Sequence, residues 1–132
     1  MTPFSLKIIT PDGIKFDGQA ESVVARSVDG DVTIWAHHTD FVTALGIGRA
    51  QVTVGNEKRI AACNSGVLSV LKGEVTLLAS TFEWQDEIDL ERANEALERT
   101  KAKLAAMQDA KEIELTRLKI QRALTRIEVK SR

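Results

Sequence analysis

All eight glycines and both prolines of this 132-residue chain lie before Trp84. From Glu87 onward the backbone carries neither the residue that tolerates positive φ nor the one that breaks helices. The chain must therefore be two different things in series: a turn-rich part, then a part free to run helical. In the first part, Leu6 and Ile8 alternate with polar neighbours, as do Val52 and Val54, Ile60 and Ala62, and Val75 and Leu77. Turn signals punctuate these runs at Pro11-Asp12-Gly13, Asp29-Gly30, Gly55-Asn56 and Lys72-Gly73. Short alternating strands between frequent turns predict a compact all-β sandwich or barrel over residues 1–85, taken here as an antiparallel β-sandwich.

Residues 86–132 are rich in Ala, Leu, Glu, Lys and Arg, the strong helix formers. At about 100° per residue, Leu90, Ala93, Leu97, Leu104 and Met107 share one face, and Ile113, Ile120, Leu124 and Ile127 share another. Gln108-Asp109-Ala110-Lys111 separates the two stripes, and Asp109 with Glu112 three residues on has the form of a capping box. This predicts two helices folded antiparallel as a hairpin. One continuous helix stays open, because nothing in the polar stretch forbids it. Each stripe is thin, so burying one on the other contributes about 10 kcal/mol gross, most of it cancelled by ordering entropy. A ligand or partner supplying a few kcal/mol would decide between docked and extended forms.

Composition removes several function classes. A net charge of −1 does not suit a nucleic-acid-binding module. The single Cys63 allows no internal disulfide, which fits a reducing cytosol, and is expected as a small buried residue in a strand. The only histidines, His37 and His38, cannot complete a Cys/His metal site, so no metal ligands are assigned. A small hydrolase using that pair would need a nucleophile that nothing in the sequence marks. No phosphate-binding Gly-rich loop with Lys-Ser/Thr occurs. The N-terminus lacks a signal-peptide layout, and no apolar run approaches the roughly 20 residues that span a bilayer. Membrane association is expected only through a partner.

The chemistry-bearing residues cluster just past the turn-rich part, from Glu83 to Ala93. Asp89 is placed to cap the first helix, with Arg92 in ion-pair reach. Arg99 lies about two turns further along the same face. Lys119, Arg122, Arg126 and Lys130 line the second helix. In a hairpin, Arg92 and Arg99 converge with Arg122 and Arg126. Converging guanidiniums repel unless an anion sits among them, and guanidinium matches phosphate oxygens in bidentate fashion. A polyphosphate ligand is one explanation; a solvated basic face, or one gripping an acidic protein, is the other.

With these residues in place, the chain resembles the epsilon subunit of F-type ATP synthases over essentially its whole length. The likeness runs through Thr10-Pro11-Asp12-Gly13, Gly30-Asp31-Val32 to His38, Phe41, Val42, Leu45, and Gly48-Arg49-Ala50. It continues in Ser65-Gly66-Val67-Leu68-Ser69-Val70 and Val75-Thr76-Leu77-Leu78-Ala79. Its most specific element is the Ile88-Asp89-x-x-Arg92-Ala93 junction. The chain departs from the family where Thr33 replaces a glycine and Trp35-Ala36 replaces Leu-Pro before the histidine.

The resemblance implies a non-catalytic central-stalk subunit of a bacterial proton-translocating ATP synthase. The implied sandwich docks on the gamma subunit and the rotor c-ring. The implied hairpin can extend toward the catalytic alpha and beta subunits, where it inhibits ATP hydrolysis. Such a subunit sits peripherally on the cytoplasmic face of the plasma membrane. In bacillus-type members the docked hairpin binds ATP as a regulatory ligand, with or without magnesium. The implied nucleotide-binding residues fall on Glu83, Ile88, Asp89, Arg92, Ala93, Arg99, Arg122 and Arg126. The alternative is a free-standing nucleotide-sensing adaptor.

Overall fold

The computed structural model describes residues 2–132. Seven strands come first: β1 (Phe4–Thr10), β2 (Gly13–Ala20), β3 (Ser22–Ser27), β4 (Gly30–Ile34), β5 (Phe41–Val54), β6 (Glu57–Leu71) and β7 (Glu74–Trp84). A 3-10 turn (Gln85–Glu87) leads to α1 (Leu90–Ala105) and α2 (Ala110–Lys130). The strands form one sheet in the order β2-β1-β7-β6-β5-β3-β4. Every ladder is antiparallel except β1–β7, which is parallel.

This single sheet closes over itself into a sandwich. β2 touches β5 although three strands separate them in the sheet order. All seven strands give side chains to one core, among them Leu6, Ile8, Val23, Ile34, Val52, Leu68 and Leu77. The turns form where Gly marks them. β6 and β7 join through Lys72 and Gly73, both at positive φ (49° and 81°), the geometry whose twist matches a two-residue hairpin.

Closure comes from the three long strands, each of which turns a corner. On one face of a strand, buried residues recur every second position. β6 buries Ala61 and Cys63 in the core, then Leu68 and Val70, one position out of phase. β5 does the same between Leu45 and Ala50, and β7 between Ala79 and Phe82. The corner on β6 lies at Ser65 (φ 50°) and Gly66 (φ 142°). A Cβ on Gly66 would stand 1.7 Å from the Leu78 carbonyl oxygen, so only glycine lets the strands cross here.

On the Ala61–Asn64 side of that corner, α2 lies on the outer face of β5 and β6, and α1 packs on α2. Ala61 to Asn64 are consecutively buried for this reason: Ala61 and Cys63 face the sandwich core, while Ala62 joins Ile88 and Val129 under the helix. Cys63 is a buried strand residue, as expected, and burial pushes its thiol up to about 12.

The helical segment is two helices rather than one. Asp89 caps α1 by accepting from Arg92 N at 3.1 Å, and Asp109 caps α2 by accepting from Glu112 N at 3.0 Å. The Thr116 hydroxyl donates to Met107 Sδ at 3.2 Å and closes the hairpin tip. The predicted stripes need correction. Ala93 and Leu97 are buried, but Leu90 is 39% and Leu124 48% exposed. The buried residues of α2 are instead Thr116, Ala123, Thr125 and Val129. Thr125 and Val129 lie about half a turn around the helix from Thr116 and Ala123. α2 is therefore gripped on two opposite faces, by α1 and by the sheet, and a search for one apolar stripe misplaces the contact.

Gly66→Ala should cost on the order of 3 kcal/mol or more, because backbone strain and a main-chain clash act together. Thermal unfolding should show a large drop in Tm; a Tm within 2 °C or so of the wild type would rule out the corner as a steric requirement.

Candidate functional site

Where α1 leaves the sandwich, the end of β7 and the last turns of α2 meet it around a cavity of about 420 Å³. That volume falls in the range of small-molecule sites, roughly 300–1,000 Å³. Arg92, Ala93, Ala96 and Arg99 line it from α1, Glu83 from β7, Glu87 and Asp89 from the connection, and Arg126 from α2. Three guanidiniums and three carboxylates thus face one small volume. Helical spacing places Arg92, Ala96 and Arg99 on one side of α1, and the Asp89 cap fixes where that helix begins.

Six of the eight sequence-predicted residues line this cavity: Glu83, Asp89, Arg92, Ala93, Arg99 and Arg126. Arg122 lies next to it, lining a smaller crevice that shares Glu83 and Arg126. Ile88 is placed differently: its side chain is 3% exposed and packs with Ala62 and Val129 beneath α2. Lys130, from the predicted basic stripe, turns aside to donate to the Gln85 carbonyl at 3.0 Å. Glu87 and Ala96 were not predicted. Ala96 lies one turn past Arg92, a spacing that could have identified it; Glu87 stands within the Glu83–Ala93 cluster, but the sequence alone assigns it no role.

The Arg126 Nε–H donates to the Glu83 carboxylate, joining α2 to the last strand. Both side chains are about a third exposed, so the pair is partly desolvated and open to an incoming anion. Below the cavity, Glu87 accepts from Lys15 Nζ and from Trp84 N, each at 2.9 Å. Trp84 Nε1 donates to the Lys15 carbonyl at 3.2 Å, and the Arg59 guanidinium lies 3.9 Å from the centre of a Trp84 ring. These bonds tie Glu87, which lines the cavity, to β2 and β7. The Lys15 ammonium hydrogen-bonded to Glu87 holds its carboxyl below the usual range, with partial burial opposing and the Trp84 N–H assisting.

The histidines lie in the loop after β4, away from the cavity. His37 has φ 63°, and His38 Nδ1 is 2.7 Å from the Thr39 carbonyl oxygen, its ring edge-on to Phe41. In the same loop, Trp35 is 53% exposed. Among the described residues, no three His, Cys, Asp or Glu side chains gather as a metal site, and no helix is long and apolar enough to cross a membrane.

The fold is a β-sandwich carrying a docked two-helix hairpin, and comparison with known proteins shows which family is built this way. Residues 3–85 match the family model "ATP synthase, Delta/Epsilon chain, beta-sandwich domain", and residues 86–131 match "ATP synthase, Delta/Epsilon chain, long alpha-helix domain". The chain is 37% identical over 131 residues to the ATP synthase epsilon chain of Shouchella clausii (98% of this chain, 96% of the relative). It is 35% identical over 127 residues to that of Caldicellulosiruptor saccharolyticus (96% and 93%). The sodium-ion-specific epsilon chain of Propionigenium modestum is 31% identical over 129 residues (98% and 94%). Among solved structures, a chain of the Euglena gracilis mitochondrial ATP synthase OSCP/F1/c-ring assembly shares the fold, with a TM-score of 0.85 at 20% identity, covering 100% of this chain and 83% of that one. The chain belongs to the ATP synthase delta/epsilon family, and within it to the ATP synthase epsilon chains.

Because the folded-state Glu87 value is lowered, its pairing stabilises the fold fully above the ordinary value of 4.5 and is lost as pH falls below it. Glu87→Gln should lower stability at pH 7 by less than about 1 kcal/mol, since the side chain is 44% exposed and screened. The difference should be smaller at pH 3 than at pH 7. Denaturant melts at the two pH values check this, and an equal difference at both would remove the Lys15 pairing as its cause.

Proposed function

We propose that this subunit couples the rotor to the catalytic head during proton-driven ATP synthesis, and that its hairpin is an ATP-sensitive brake on ATP hydrolysis. The observation that carries this reading is the convergence of Arg92, Arg99 and Arg126 with Glu83 and Asp89 around one cavity. Guanidiniums from both helices would clamp the phosphates of ATP, with Arg122 alongside, while the carboxylates offer acceptors to ribose hydroxyls or the base amine. Magnesium is not required by this donor set. No residue of the cavity need perform chemistry, so ATP acts as a ligand that selects the docked form.

The energies suit a switch. A ligand that binds only the docked form stabilises it by about 2.7 kcal/mol at a hundred times its Kd. That exceeds an ordinary partly exposed ion pair such as Glu83–Arg126. With ATP scarce, the hairpin would leave the sandwich, extend along the gamma subunit, and turn its arginines toward acidic groups of the alpha and beta subunits.

The sandwich supplies the docking surface. Past the corner, Ala44, Val67, Leu78 and Ile9 stand in register across β5, β6, β7 and β1 on the outer face. Val67 is 39% and Leu78 47% exposed, with Val42 nearby at 70%. An apolar ladder left bare is characteristic of a surface that meets another protein, here the gamma subunit, with the c-ring close by. Membrane attachment then runs through the complex, on the cytoplasmic face.

Arg126→Ala should weaken ATP binding at least tenfold, about 1.4 kcal/mol, while the sandwich melts as before. Isothermal titration with unchanged affinity would refute the phosphate role. Leu78→Lys should sharply reduce recovery of the gamma subunit with the tagged chain at unchanged Tm; undiminished recovery would place the docking surface elsewhere.

A further inference from the structure

One residue outside the cavity holds the far end of α2. Gln85, the first residue after β7, directs its side-chain amide at the C-terminus of that helix. Its Nε2 donates to the Val129 main-chain oxygen at 3.0 Å and to the Arg132 main-chain oxygen at 2.8 Å. Lys130 Nζ returns a bond to the Gln85 carbonyl oxygen at 3.0 Å. The last carbonyls of a helix lack intrahelical donors, and cations are favoured beside them. Here a sandwich residue supplies the donor, and the helix supplies the cation to the sandwich backbone. Between the two bonds sits Val129, 0% exposed, on Ala62 and Ile88.

None of these groups lines the nucleotide cavity: Gln85, Val129, Lys130 and Arg132 are all absent from its walls. Every one of the bonds exists only while the hairpin is folded back, because Gln85 belongs to the sandwich side of the connection. On release, the Gln85 amide loses both partners, the Val129 oxygen keeps only its main-chain contacts within the last turn, and the Val129 side chain is exposed.

We infer that Gln85 is a ligand-independent latch, which sets the resting proportion of folded-back to released hairpin before any nucleotide binds. The inference takes release as the functional motion, as the proposed function does, but the latch is measured without nucleotide. The clasp also fixes the register of α2 one turn beyond Arg126, so Gln85 acts as a positioning residue for the Glu83–Arg126 contact.

Amide hydrogen exchange on the full chain without nucleotide tests this. Gln85→Ala should speed exchange in the last two turns of α2 about tenfold, the equivalent of the net loss of one to two hydrogen bonds. Exchange in β6 and β7 should not change. Gln85→Glu keeps the length but loses the donor, and Lys130→Met removes the return bond; both should act in the same direction. Unchanged α2 exchange in Gln85→Ala, or equal acceleration in β6 and β7, would overturn the latch. Adding ATP to Gln85→Ala should slow α2 exchange again. ATP without effect there would count against the nucleotide cavity and leave the latch standing.

Discussion

The behaviour of the helical third depends on a narrow apolar contact, Val129 seated on Ala62 and Ile88 with Ile60 alongside. Among the described residues the sandwich core holds nineteen buried residues and this contact three, so the two parts differ in how easily they come apart. Burying one valine-sized side chain is worth about 1.5–3 kcal/mol. Docking energy of that size is comparable to a few polar bonds or to one bound ligand. The charges and caps around the contact, Glu83–Arg126 and the Gln85 clasp, therefore weigh as much as the contact itself.

Much of this architecture was legible in the residues. The partition of glycine and proline located the change from strands to helices, and Asp89 and Asp109 marked both helix starts. The pattern failed at the three long strands. Their inward faces slip by one position at the corner, so the period-2 signal of β6 breaks between Cys63 and Leu68. It failed again on α2, where Thr116 and Thr125 are buried while Leu124 is exposed. Both cases share a cause: an element with partners on two sides shows no single apolar face.

The cavity was legible to the extent that it is built from local spacing and from the family's junction motif. Arg92 and Arg99 follow from helical periodicity, and Arg126 from an antiparallel hairpin. Glu87 and Gln85 were not legible, because their roles come from partners 72 and 47 positions away in sequence, Lys15 and Arg132. Ile88 matches the motif but serves as packing beneath α2. A motif position fixes a residue's place in the fold more firmly than the task of its side chain.

The corner has a mechanical consequence. β5, β6 and β7 each run unbroken from the bare outer ladder into the half that bears the helices. The two layers are thus not plates joined by loops. A sideways load on one layer reaches the other along three covalent backbones, and sliding of the layers is resisted where Gly66 has no room to change its backbone path. The sandwich is built stiff against shear, and the helices join it through one short connection, Gln85 to Asp89.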